Sequence, residues 1–427
     1  MRTAVSHLNG ATIALPWTLG CGATCVTALR TEDVTMLMSS APTFWLSRLW
    51  FLRWLGGVYT VANTVALTQN RALLGENGLL PVHHFLSRRR KKREGFWQRP
   101  TLFWWCPERW TGLALDLHAV AGLCLALPLA LTGGGSAVQL FLLWALYNSL
   151  VNVGQTPYGF GWESQLLETG FLAIFFCPLR HAGAVPTSMP PPSVGVWAAR
   201  WLLFRIMIGA GLIKLRGDRC WRDLSAMDFF YETQPVPNPL SRRLHFAPRA
   251  WHRFETFAGL WIVEIVTPFL LLLPGGGTMG LLRSFAAVLQ IFFQFVLISS
   301  GNLSFLNWLT IAPTFLCLSD ANLASITAPA TRAAAAQAAE QTANANALLS
   351  ASNCMTPQAL ATLALGAVRP HHVASALLLF IVVRGSVPVV ANLLELGGRR
   401  QVMNTAFGAW CAGYRSSRDS RQLMWAY

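Results

Sequence analysis

Long apolar runs broken by short polar stretches set the pattern of this chain. Strong runs lie near 47–66, 114–132, 136–152, 162–178, 196–214, 258–273, 278–299, 302–317 and 372–393, and a weaker uncharged run covers 11–29. Each strong run is about as long as a helix needs to cross a hydrocarbon core ~30 Å thick. Nowhere do apolar and polar residues alternate over about ten positions, as a membrane barrel strand requires, so amides in lipid must be satisfied within helices. The pattern predicts an all-α fold, a polytopic transmembrane helical bundle of about nine spans, or ten if 11–29 is retained. That first run follows Arg2 and is diluted by Gly, Thr and Pro, and it reads equally as a secretory signal core or a weak first span. Runs 258–273 and 302–317 are short, with Pro274 and Pro313 at or near their ends, so they tilt little or are partly re-entrant.

Composition and charge placement sharpen this picture. The 427 residues are 53% hydrophobic and only 12% charged, against about 25% charged in a soluble domain, which excludes a disordered chain and an ordinary cytosolic enzyme. The net charge of +15 reads as topology and not as a nucleic-acid footprint. If every strong run crosses once, loops 68–113, 215–257 and 394–427 share one side and hold 21 of the 33 basic residues, whereas the opposite loops hold 3. The positive-inside rule places the basic loops in the cytoplasm or its equivalent. The densest block, Arg88 to Arg93, is a solvated stop signal or an anionic-lipid contact. Many of the 18 Trp flank the runs, as at Trp45, Trp50, Trp110, Trp162, Trp197 and Trp261, where indoles anchor at the headgroup level. The boundaries divide the chain into an amino-terminal targeting or weak first-span region (1–43), a transmembrane domain (44–320), an Ala-rich low-complexity loop (321–371), and a last span with a basic tail (372–427).

Candidate chemistry is sparse. None of the nine cysteines forms a CxxC pair, and the adjacent His83–His84 and His371–His372 diverge by about 100° on a helix, so no metal site is expected. No nucleophile triad, HExxH or paired-carboxylate constellation stands out, and no cofactor, catalysis, nucleic acid or small-molecule substrate is expected. Ionisable residues inside apolar runs are costly and therefore informative. They are Glu168, Arg205, Glu264 and Arg283, with Glu163 and Lys214 nearer the ends. Together with Gln290 and Gln294, four apart on one helical face, they make up an expected intramembrane polar network in which Arg205 pairs with Glu168 or Glu264.

The most unusual stretch is 205–256. An apolar helix carrying Gly209 and Gly211 runs into Lys214, Arg216, Asp218, Arg219, Arg222 and Asp223 and then into YETQPVPNPL, residues 231–240. Pro235, Pro237 and Pro239 fix φ and remove amide donors, giving a stiff extended strap that loses little entropy on docking. It suits recognition by a partner protein or packing on the bundle's own surface. Here the sequence resembles the lipase maturation factor family. The segment GLIKLRGDRCWRDLSAMDFFYETQPVPNPLS (211–241) and HRFET (252–256) look like the family's signature loop, and LLGENGLLP (73–81), GQTPYGFGWESQLLETGFLAIFF (154–176) and SGNLSFLNWLT (300–310) agree in order. The resemblance covers roughly 44–320. By position it carries over Glu76 and Asn77; Gln155, Trp162 and Glu163; and Lys214, Arg216, Gly217, Asp218, Trp221 and Asp223. From the strap onward it carries over Tyr231, Glu232, Thr233, Gln234, Pro235, Pro237, Asn238 and Pro239, and then His252, Glu255, Asn302 and Asn307.

The resemblance implies a multi-pass endoplasmic reticulum protein that helps secreted lipases fold, assemble and leave the compartment. Its partners would be the lipid bilayer and a lipase client. The candidate partner-binding residues are Arg216, Asp218, Trp221, Asp223, Tyr231, Glu232, Gln234, Pro235, Pro237, Asn238 and Pro239. Family members carry a soluble carboxy-terminal domain after the membrane region, where this chain has the Ala-rich stretch, one more apolar run and a basic tail. The family's loop is placed in the lumen, whereas the charge asymmetry puts 215–257 in the cytoplasm. One added or missing crossing upstream reverses the assignment. The alternative to a client-binding protein is a structural accessory subunit of a large membrane complex, with an organellar inner membrane as its location. A third reading is an intramembrane enzyme built on Glu168, Arg205 or Glu264.

Overall fold

The structure, a computed structural model, describes residues 42–180, 183–233, 238–352 and 370–394. The described residues are helical and contain no strand. The first long helix, α1 (Trp45–Leu74, 30 residues), buries residues on all its faces and forms the hub of the fold. A basic amphipathic helix α2 (Val82–Lys91) follows, then α3 (Thr111–Thr132), α4 (Ala137–Val153), α5 (Gly161–Ile174) and α6 (Ser193–Arg216). Two short helices, α7 (Met227–Phe230) and α8 (Ser241–His245), lead into α9 (Arg249–Leu271). The remaining helices are α10 (Gly277–Ser300), α11 (Leu306–Thr314, continued as a tight turn to Cys317), α12 (Asp320–Leu323), α13 (Pro329–Ser352) and α14 (Pro370–Leu393).

Five of these elements are long and apolar enough to cross a membrane: Glu108–Thr132, Ser193–Arg216, Arg249–Leu271, Gly277–Ser300 and His372–Leu393. Ala137–Val153 and Leu306–Cys317 are shorter apolar helices. The outward faces support immersion in lipid. Leu113, Leu117, Val120, Leu127 and Leu131 on α3, and Phe285, Val288, Phe292 and Phe295 on α10, are exposed at helical spacing. Apolar stripes of that length facing water are rare in soluble proteins.

The long helices alternate in direction, and their connections gather at two ends. At one end Arg53 donates to Leu131 O (2.8 Å), Ala137 N–H to Pro178 O (2.8 Å) and Arg48 Nη1 to Met189 O (2.8 Å). The carboxylate of Asp320 there caps α1, accepting from the amides of Trp45, Leu46 and Ser47 at 2.9, 2.7 and 3.3 Å. At the other end Gln155 reaches Leu80 O (2.7 Å), Thr101 reaches Ser149 O (3.0 Å) and Asn238 reaches Gly301 O (3.2 Å). The basic block 88–93 and residues 217–233 and 238–248 lie at this second end, so the charge asymmetry of the sequence is also an asymmetry of the folded bundle.

Close approach of α1 and α3 depends on glycine. A Cβ on Gly56 would sit 2.5 Å from the backbone nitrogen of Ala130, nearer than any methyl tolerates, so small residues let the two backbones touch. Gly133 ends α3 in the left-handed region (φ +69°), where glycine bears no steric cost.

Of the two readings the Ala-rich stretch allows, weakly helical or disordered, the described part is helical: Pro329–Ser352 is wound into α13, and buried Ala335 and Ala338 join the core. Alanine has the highest intrinsic helix propensity, and a docked face supplies what an isolated Ala helix lacks. The run 11–29 and the basic tail beyond 394 lie outside the described residues.

Candidate functional site

The signature segment begins where α6 ends. Lys214, in its last turn, turns inward to pair with Glu264 on α9 and lies 4.8 Å above the ring of half-buried Trp221. Arg216 is exposed and donates to Leu393 O (2.9 Å), tying the end of α14 to the end of α6. Asp218 and Asp223 are exposed, and Asp223 accepts from the hydroxyl (2.5 Å) and amide (3.2 Å) of Ser225. These bonds hold the Asp223 carboxyl below its ordinary range. The charged cluster is therefore braced partly through the helices and partly through its own turn, and Lys214 leaves it for the bundle interior.

The next residues form a small cap on the first turns of α9. Tyr231 is buried and donates to Glu255, 3.1 Å from each carboxylate oxygen; burial first, and then the Glu255 charge, push its hydroxyl pKa up. Asp228 lies 2.7 Å from His252 Nδ1, and His252 Nε2 is 2.8 Å from Leu244 O. Exposed Glu232 pairs with His245 at 2.9 Å. Asn238 docks against the α10–α11 corner through Ile298 O and Gly301 O, and its Oδ1 accepts the Leu240 amide (2.9 Å). Pro239 is exposed beside it. Gln234, Pro235 and Pro237 lie outside the described residues.

The outer face of the same cap is apolar and basic. Phe229, Phe246, Trp251, Phe254 and Phe257 are all exposed, interleaved with exposed Arg242, Arg243, Arg249 and Arg253. Inward polar contacts hold the cap in place while large aromatic side chains project from it.

The other family blocks are also used in construction. Glu76 caps α3 by accepting the Gly112 amide (2.7 Å); its own backbone amide first, and then this bond, hold its carboxyl below the ordinary range. Trp162 stacks on Phe160 at 4.5 Å, and the Gln155 bond to Leu80 ties the α4–α5 turn to the segment after α1.

Among the described residues, several of the polar side chains inside the apolar runs meet in pairs. Arg205 on α6 pairs with Glu168 on α5, and Glu264 is taken by Lys214. Glu163 accepts from Tyr147 on α4. Gln294 Nε2 faces Met207 Sδ at 3.9 Å. Gln290 Nε2 donates to Val263 O at 2.9 Å, for a reason visible in α9. That helix widens to i→i+5 winding over Ala258–Val266, and the Thr267 amide bonds Ile262 O. Residue 268 is proline and has no amide to offer, so Val263 O lacks a helical donor and Gln290 supplies one. None of these pairs joins a nucleophile to a base, and among the described residues no group of three or more His, Cys, Asp and Glu is placed to hold a metal.

Sequence reasoning missed three elements: the Asp320 cap on α1, the Tyr158 to Asn70 bond (2.9 Å), and the buried arginines Arg48 and Arg200. The arginines were visible as charges inside or beside apolar runs; the cap and the Tyr–Asn pair span long sequence separations that no local pattern marks.

An all-helical bundle with lipid-facing stripes, ion pairs between its helices and a polar cap at one end defines a polytopic membrane protein with no assembled catalytic constellation among its described residues. Residues 46–325 match the family described as "Lipase maturation factor transmembrane domain". The chain is 44% identical over 375 residues to Lipase maturation factor 1 of Mus musculus, covering 86% of this chain and 61% of that protein. It is 50% identical over 287 residues to Lipase maturation factor 1 of Homo sapiens, covering 66% and 50%. Against Lipase maturation factor 2 of Homo sapiens the identity is 35% over 294 residues, covering 66% and 41%. This chain belongs to the lipase maturation factor family. It spans between about two fifths and about three fifths of the length of these relatives. No solved structure matches it.

Proposed function

We propose that this chain acts in the maturation of secreted lipases as a multi-pass protein of the endoplasmic reticulum membrane, binding its client without transforming it. The observation that carries the reading is the two-sided cap of residues 227–233 and 238–257. Its inner face is consumed by Tyr231–Glu255, Asp228–His252 and Asn238–Gly301, while Phe229, Phe246, Trp251 and Phe254 stand free of those bonds on its outer face. A rigidly held aromatic surface binds a partner with little ordering cost. Glu232 and Pro239, exposed on the same segment, extend that surface, and Gln234, Pro235 and Pro237 are proposed to continue it. In this reading α1, α3, α4, α5, α6, α9, α10, α11 and α14 each run from one end to the other, making nine passes.

The test is secretion of an active homodimeric lipase from cells lacking their own maturation factor, with this full chain supplied. Replacing Phe229, Phe246 and Phe254 together by Ser is expected to lower secreted lipase activity while the level of this protein holds. Equal secretion with and without the chain refutes the proposal. The reading also requires the capped end to face the lumen, so an epitope inserted after Phe230 is expected to resist protease in sealed vesicles.

The gathering of Arg88–Arg93 and Arg242, Arg243, Arg249 and Arg253 at that same end favours a cytoplasmic orientation. It supports a second reading as a structural accessory subunit of a large membrane complex. Native-gel migration in a stable assembly, with the Phe230 tag accessible to protease, would select it.

A further inference from the structure

At the end of the bundle opposite the signature cap lies a cavity of about 290 Å³, between the start of α1 and the amino-terminal turns of α6 and α10. Its walls include Phe44, Pro190, Ser193, Trp197, Arg200 and Arg283, and none of its lining residues is acidic. Arg200 is 3% exposed and Arg283 is 1% exposed. Neither meets a carboxylate. Arg200 Nε donates to Leu316 O (3.0 Å). Arg283 donates to Cys317 O (2.9 Å), Leu273 O (2.8 Å) and Gly275 O (2.8 Å). The two guanidiniums are close enough to feel one another's charge. The Arg200 guanidinium is held between the rings of Phe44 (5.1 Å) and Trp197 (5.3 Å), and its Nη2 has no hydrogen-bond partner.

Two like charges withdrawn from water at the wall of one cavity, neither paired with a carboxylate, are costly unless an anion completes the site. The helix termini point to the same ligand. Pro192, at the cap position of the 24-residue α6, makes no side-chain cap, so the first amides of α6 are left for an acceptor at the cavity, where Ser193 and Val196 form part of the wall. Carbonyl bonds fix Arg283 and aromatic rings fix Arg200, so both guanidinium groups are in place at the cavity wall before a ligand arrives. We propose that this cavity binds a tetrahedral phosphate, as a phospholipid headgroup or as a free anion. Its position at the end of lipid-facing helices, with Trp197 exposed at its rim, suits a headgroup whose acyl chains lie along the bundle. The site is independent of the client-binding reading, since it lies at the other end and shares no residue with the cap.

The test uses the full chain purified in a phosphate-free maltoside detergent, titrated with inorganic phosphate and with short-chain dihexanoylphosphatidylglycerol while thermal unfolding is followed. Saturable stabilisation by the lipid, at a midpoint at least about tenfold below that of phosphate, assigns a headgroup site; saturation by phosphate alone assigns a free-anion site. Loss of one charge-assisted donor in Arg200→Gln is expected to weaken binding about tenfold or more, and Arg200→Lys to recover part of it. Ser193 is exposed, so Ser193→Trp is expected to leave the fold intact, fill the cavity and abolish saturation, which keeps the test decisive if the arginine variant does not fold. No saturable response to either probe, or wild-type binding in Ser193→Trp, overturns the proposal.

Discussion

The bond from Gln290 to Val263 O makes a quantitative prediction because its cause is covalent. Pro268 removes the amide that an i→i+5 segment would offer to Val263 O, and the Thr267 amide is engaged by Ile262 O. Gln290 is fully buried, so water does not replace its Nε2 once it is lost. Leaving a buried carbonyl unpaired costs about 1–3 kcal/mol. Interhelical side-chain bonds in membrane proteins average nearer 0.6 kcal/mol, with a maximum of about 1.7. The Oε1 of Gln290 has no partner, so its removal returns part of the loss. Gln290→Leu is therefore expected to destabilise the protein by about 1 kcal/mol. Pro268→Ala restores an amide at that position, and in its background the Gln290→Leu cost is expected to fall by at least half. The assay is a double-mutant cycle on unfolding free energies in mixed micelles. Equal Gln290→Leu costs in the two backgrounds would refute the claim that the proline creates the need for the glutamine.

Other perturbations follow from the same structure. Removing one partner of the buried Arg205–Glu168 pair leaves an uncompensated charge, so Glu168→Ala is expected to cost about 3–5 kcal/mol, whereas Glu168→Leu with Arg205→Met costs much less; detergent-resistant folded yield of the three variants checks this. Gly56→Ala pushes a methyl against the Ala130 backbone and is expected to cost about 1–3 kcal/mol through separation of α1 and α3, read as a lowered melting temperature. The depressed Glu76 carboxyl contributes stability that is complete above its unfolded value of about 4.3 and is lost as pH falls through the lower folded value. The melting-temperature difference between wild type and Glu76→Gln is accordingly expected to be constant from pH 7 to pH 5 and to shrink below that.

Much of the architecture is legible along the chain because a hydrocarbon solvent admits few solutions. The helices at 114–132, 136–152, 196–214 and 278–299 begin and end within a few residues of the apolar runs that announce them. Charged Arg205, Glu168, Lys214 and Glu264 were likewise conspicuous, and the pairing of Arg205 with Glu168 was one of two open choices. The choice rests on the angle at which α5 and α6 meet, and apolar periodicity does not encode that angle. The signature segment illustrates the opposite limit. Its composition marked it as unusual, yet Tyr231, Asn238 and His252 turn inward while Phe229, Phe246 and Trp251 turn outward, and a stretch of loop and short helix has no fixed period from which to read a face.

The sequence by itself determined that the long apolar segments are helical, where the positive charge accumulates and to which family the chain belongs. Each of these depends only on local composition or on ordered blocks of residues. The tertiary structure alone decided that Asp320 caps α1 from far along the chain, that Gln290 answers the amide missing at Pro268, and that Arg200 and Arg283 face one cavity. Transfer into an apolar solvent is a property of one segment and adds residue by residue. A hydrogen bond or ion pair needs two segments at matching depth and rotation, and only the packing of the whole bundle sets both.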